Sequence, residues 1–261
     1  MAALPLYMLQ RHPLTVSAHF AHSLVLTYAF PRRQLAPMLP PGLRVDTWGD
    51  FGFVAIAMVQ TQRLRPAVLP RALGQSFFLA GYRIFTTFRR PDGTTRRGLY
   101  ILRSDTDRRL MAAAGNLLTH YQYRVSTVHT EAMPGAFTCR VTTRDQLADL
   151  HVTAELHGEA VLPATSPFET FHQARRFAGP LPYTFDHEPQ TNSIIAIKAT
   201  RQNWNPRLVT ARVHDLTFFR HGPFRGTTPL PASAFYVENI DYQWKAGIRY
   251  PLSEVQEAAH D

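Results

Sequence analysis

Residues 51–59 read FGFVAIAMV, an apolar run without charge or proline. In an extended strand successive side chains point to opposite faces, so this stretch presents apolar groups on both. That pattern predicts a central strand buried on both sides, not an edge or a half-wet hairpin. The run is far shorter than the roughly 20 apolar residues a membrane helix needs, so no membrane partner is expected.

Outward from it, strand signals dominate. YRIFTTF from Tyr82 and LVTARVHDLTFF from Leu208 are rich in β-branched and aromatic residues. LHVTAELH alternates, with Leu150, Val152, Ala154 and Leu156 on one face and His151, Thr153, Glu155 and His157 on the other. AFTCRV places Phe137, Cys139 and Val141 together, and SIIAIKA from Ser193 and FYVENIDYQW from Phe235 complete the set. RRPDGTTRR predicts a hairpin bending at Asp92-Gly93. Three short helices are predicted: from Pro31 to Pro40; from Ser104, with Ser104 as cap; and from Ser166, with Glu169 completing a capping box. LRPAVLPRALG from Leu64 and RHGPFRGTTPLP from Arg220 read as long loops, of the kind that can form pocket walls. About ten strands, mostly antiparallel, with a few short helices give an α+β, mainly β fold with a closed or strongly curved sheet.

The 261 residues suffice for a large core without disulfide or metal staples. The lone Cys139 excludes an intrachain disulfide, and the opening MAALPLYMLQRHP lacks a secretory n-region, so a cytoplasmic setting is expected. The formal charge is +9, yet only Lys198 and Lys245 of the 28 basic residues are lysines, and the arginines are scattered. This favours anionic partners in general; it lacks the dense basic patch with interleaved aromatics that marks a nucleic-acid surface. Homo-oligomer assembly is left open.

Several chemistries find no support. No GxSxG, GxGxxG or GxxxxGK[ST] motif is present. Cys139 on an apolar strand face reads as a core residue. His151 and Glu155 share a face but lie about 13 Å apart along a strand, too far for one metal, so no metal or other cofactor is expected. Lys198, set among isoleucine and alanine, is either a desolvated amine nucleophile or a strand-end lysine reaching water.

Three segments carry a resemblance: HFAHSLVLTYAFPRRQLAPMLPPGLRVDTW, RRGLYILRSDTDRRLMAAAGNLLTHYQYRVS, and FETFHQARRF with the later DHEP and VTARVHDLTFF. Together they are similar to the YqjF-like bacterial family of unknown function (domain-of-unknown-function family 2071), a branch of the acetoacetate-decarboxylase-like superfamily. The resemblance covers most of the chain. It implies one domain over residues 1–261, with a conical antiparallel sheet closed around a central pocket. In the superfamily's decarboxylases the segment matching GNLLTHYQYRVS supplies a Schiff-base lysine with a second lysine beside it. Here that pair falls on Gln122 and Tyr123, neither able to form an imine, and no glutamate precedes Glu131.

A pocket for a small anionic or carbonyl compound is therefore expected without lysine chemistry from that strand. Its candidate lining is the strand start from His120 to Arg124, with Arg83 and Arg103 on flanking strands and Lys198 as the remaining amine. Arginine can clamp a carboxylate, while Tyr123 and His120 can donate protons or orient a carbonyl. The alternative is an ordinary alternating strand, with His120, Gln122 and Arg124 in solvent and Tyr121 and Tyr123 in the core. Three functions stay open: an enzyme without an imine, a non-catalytic small-ligand binder, and a basic nucleic-acid-binding protein.

Overall fold

The computed structural model describes residues 5–253. Within them lie fifteen strands: β1 (Val16–Pro31), β2 (Leu43–Val45), β3 (Phe51–Pro66), β4 (Gln75–Arg89), β5 (Thr95–Thr106), β6 (Tyr123–Val125), β7 (Thr127–Met133), β8 (Ala136–Thr142), β9 (Leu150–Glu155), β10 (Tyr183–Glu188), β11 (Ser193–Gln202), β12 (Arg207–Leu208), β13 (Thr210–Leu216), β14 (Leu230–Trp244) and β15 (Ile248–Pro251). Four α-helices accompany them: α1 (Leu6–Leu9), α2 (Arg32–Leu35), α3 (Arg109–Leu118) and α4 (Phe171–Ala178). No helix among the described residues is long and apolar enough to cross a membrane.

Eleven strands form one sheet. Its path runs β14-β1-β3-β4-β5-β10-β11, and β11 pairs again with β14, so seven strands close a ring. The pairings are antiparallel except β5 with β10 and with β6, which are parallel. The other four strands form a small sheet in the order β13-β9-β8-β7.

The two apolar faces of residues 51–59 now have separate destinations. Val54, Ile56 and Met58 pack with Phe78, Ala80, Tyr82 and Ile84 of β4 against Phe137, Cys139, Val152 and Ala154 of the small sheet. Ala55, Ala57 and Val59 face the inside of the ring. β4 splits likewise, with Phe77, Leu79, Arg83 and Phe85 inside. Cys139 is fully buried and its thiol is pushed up to about 12 by burial, so it is a core residue and not a nucleophile.

Three local expectations need correction. The second helix begins at Arg109 rather than Ser104, because Ser104 pairs with Gly81 of β4 and Tyr123 of β6 within β5, which continues to Thr106. The third begins at Phe171, capped by the Thr170 side chain receiving the Gln173 N–H; Ser166 instead accepts the Phe168 N–H, in a turn before the helix. The stretch after α3 is not strand until Tyr123. Residues 119–122 form a bend, with Gln122 in the left-handed region at φ 52°.

Candidate functional site

The ring encloses a cavity of about 300 Å³. Small residues make the room: Ala55 and Ala57 on β3 and Gly81 on β4, with Ala114 and Gly115 of α3 closing one side. Among the described residues no aspartate, glutamate or lysine lines it.

Arg83 projects into this space. Protein surrounds it, and the surface it keeps faces the cavity. It makes no ion pair or side-chain hydrogen bond among the described residues, and its buried Nε has no partner. A Cβ on Gly81 would sit 2.8 Å from an Arg83 terminal nitrogen, so glycine is what lets the guanidinium lie over that position. Burial lowers its pKa, with only Tyr242, Tyr123 and Tyr121 acting the other way. Isolated buried cations are costly, and internal arginines normally have carboxylate partners. Arg83 is thus a buried cation left without a charge complement among the described residues.

Tyr121 and Tyr123 also line the cavity, their ring centroids 6.3 Å apart. Burial pushes the Tyr123 phenol up to about 12 and the Tyr121 phenol well above its ordinary value, so both hold their protons at neutral pH. The Tyr121 hydroxyl is buried without a hydrogen-bond partner. The segment that presents them is built by GNLLT. Gly115 makes room for the Tyr123 ring, which a Cβ there would approach to 2.4 Å. Asn116 grips the Tyr123 backbone twice, accepting its N–H at 2.8 Å and donating to its carbonyl at 2.9 Å. Thr119 Oγ1 accepts the Tyr121 N–H, and buried Asp186 of β10 accepts the His120 N–H at 3.1 Å.

The other sequence candidates lie elsewhere. Arg103 forms paired hydrogen bonds to fully buried Asp105 (2.6 and 2.9 Å) and to Asp145 (2.9 and 3.0 Å). Those carboxylates outweigh its desolvation and raise its pKa. Arg124 is exposed and pairs with the same Asp145. Lys198 is exposed on β11, across from Tyr183. Gln122 is exposed beside Arg33 and Tyr100 in a surface depression. His120 lies outside the cavity wall. Its Nε2 is buried without a partner, and burial lowers its pKa against the opposing pull of Glu188. Of the residues singled out from the sequence, the fold therefore brings Arg83, Tyr121 and Tyr123 together. Sequence reasoning passed over His12, which lines the cavity with its Nδ1 unpartnered and its pKa lowered by burial. It also gave no role to Gly81 and Gly115, although a glycine inside a strand or helix is a signal for close approach.

A closed mainly antiparallel sheet around one cavity is the acetoacetate-decarboxylase-like fold. An acetoacetate decarboxylase-like enzyme from Sphingomonas wittichii RW1 superposes with a TM-score of 0.64 at 11% identity, over 92% of this chain and 94% of that one. Acetoacetate decarboxylase from Legionella pneumophila gives 0.60 at 10% identity, over 89% and 86%. The enduracididine biosynthesis enzyme MppR complexed with pyruvate gives 0.58 at 11% identity, over 91% and 90%. Within this fold class the chain belongs to the DUF2071 family, described as an uncharacterized conserved protein, whose model matches residues 17–241. No curated protein matches the sequence.

Proposed function

We propose that the chain takes a small carboxylate-bearing carbonyl compound into the ring cavity and acts on it without a lysine adduct. The observation that carries this reading is the enclosed Arg83 guanidinium, facing the cavity with no anionic partner of its own. It would clamp the carboxylate, while the Tyr121 and Tyr123 hydroxyls hydrogen-bond the carbonyl oxygen and any negative charge that develops there. That pyruvate occupies MppR, of the same fold, supports the ligand class. The resemblance lays the decarboxylase lysine pair over Gln122 and Tyr123, and both lysines of this chain are exposed, so no amine stands ready for an imine.

Turnover also needs a proton acceptor, and His12 is the neutral base on the cavity wall. A non-catalytic binder would need only Arg83 and the tyrosines. Calorimetric titration with pyruvate and acetoacetate tests the binding. Arg83→Met is expected to abolish it and Tyr123→Phe to weaken it; binding unaffected by Arg83→Met would overturn the assignment. His12→Gln separates the readings, since it should stop proton exchange at the carbon beside the carbonyl while leaving affinity intact. Borohydride treatment with pyruvate should leave Lys198 and Lys245 unmodified, and a trapped adduct on either would overturn the imine-free reading.

A further inference from the structure

The cavity has a direction. Its wall follows paired positions of β3 and β4, from Ala55 opposite Arg83, through Ala57 opposite Gly81, Val59 opposite Leu79 and Thr61 opposite Phe77, to Leu64 opposite Gln75. From residue 83 to residue 75 of β4 is about 26 Å at roughly 3.3 Å per residue. The guanidinium lies over Gly81, one pair along this path. Beyond it the walls are Val59, Leu79 and Phe77, faced by Phe20 and Trp244, with no charged side chain before the rim.

The rim is apolar too. Leu14 lines the cavity yet is 51% exposed, and the connection after Leu64 and Pro66 leaves Val68 and Leu73 in solvent at 91% and 66%. Arg65, the charged residue at the rim, already donates to the carbonyls of Leu69 and Arg63.

A pyruvate-sized acid would occupy only the Arg83 end and leave this corridor unfilled. We propose that the ligand is an amphipathic carboxylate, its head on Arg83 and an unbranched apolar chain running between β3 and β4 towards Leu14 and Leu64. This rests on the Arg83 reading above and extends it to the rest of the ligand. Each methylene moved from water into the corridor should tighten binding on the order of fourfold.

The test is a titration series of acetate, hexanoate and decanoate below their micelle concentrations, with 1-decanol as the headless control. Affinity is expected to climb with chain length, and decanol to bind far more weakly than decanoate. Arg83→Met should weaken every acid, whereas Val59→Phe, or Leu79→Phe should the first fail to fold, should erase the gain from chain length and spare acetate. Equal affinity across the series, with acetate bound in an Arg83-dependent way, would sink the amphipathic ligand and leave the proposed function standing. No binding of any acid would remove both. A length dependence untouched by Arg83→Met and by the corridor variants would place the chains outside the cavity and overturn the proposal.

Discussion

Replacing Arg83 by methionine separates a ligand-binding arginine from a structural one by the sign of the stability change. The side chain is enclosed, makes no ion pair or side-chain hydrogen bond, and has an unpartnered Nε. Desolvating an unpaired cation costs several kcal/mol, which polar solvent entering the cavity offsets in part. Methionine keeps the apolar stem and removes the charge, so the unliganded protein should gain about 1–3 kcal/mol. For a chain of this length each kcal/mol moves Tm by about 2–4 °C, giving a rise of about 2–12 °C. A carboxylate ligand should act in the opposite sense. At one hundred times its Kd it stabilises the wild type by about 2.7 kcal/mol and should leave the variant unmoved. Thermal denaturation followed by circular dichroism, with and without ligand, reads both effects. A fall in Tm of more than about 2 °C on Arg83→Met would show that the guanidinium is held by the fold itself, and the argument for a bound anion would fail.

Three further perturbations probe the machinery around the cavity. Gly115→Ala should gain about 1 kcal/mol as a plain helix substitution. Its Cβ would meet the Tyr123 ring at 2.4 Å, so a loss of about 1–3 kcal/mol is expected instead, turning neutral or favourable in a Tyr123→Ala background; urea unfolding of the double-mutant cycle checks it. Asp186 is raised to about 7, by burial above all. Between about pH 4 and 7 the folded chain therefore holds a proton that the unfolded chain has released, and stability falls as pH rises through that window, by on the order of 4 kcal/mol at most. Asp186→Asn should flatten this part of the pH–stability curve, and an unchanged slope would refute the assignment. Arg103→Leu leaves buried Asp105 without its cation and should cost about 3–5 kcal/mol in urea unfolding; a loss below 1 kcal/mol would mean the network is not a structural brace.

The arginines show how context divides one residue type. Arg83 and Arg103 each interrupt an apolar strand and look equivalent in sequence. What differs is whether the chain brings an acid to them. Asp105 is two residues from Arg103, and Asp145 arrives from the segment between β8 and β9. Among the described residues no acid reaches Arg83, because the strands around it turn apolar or uncharged polar side chains inward. In GNLLTHYQYRVS the helix end was legible, but the bend over residues 119–122 was not. It is fixed by Asn116, Thr119 and, from a distant strand, Asp186.

By itself the sequence determined a strand-rich chain with residues 51–59 buried on both faces, because period-two alternation and apolar runs are local properties. Strand β8 of the small sheet was equally legible, since Phe137, Cys139 and Val141 alternate with polar residues along it, whereas the separation of a second sheet was not. Only the tertiary structure decided what lies against each face of β3: packed side chains from the small sheet on one, an open cavity on the other. Both environments select apolar residues, so hydrophobic pattern cannot tell a filled core from a ligand corridor. The distinction comes from ring closure through the second pairing of β11 with β14, a contact between segments far apart in the chain.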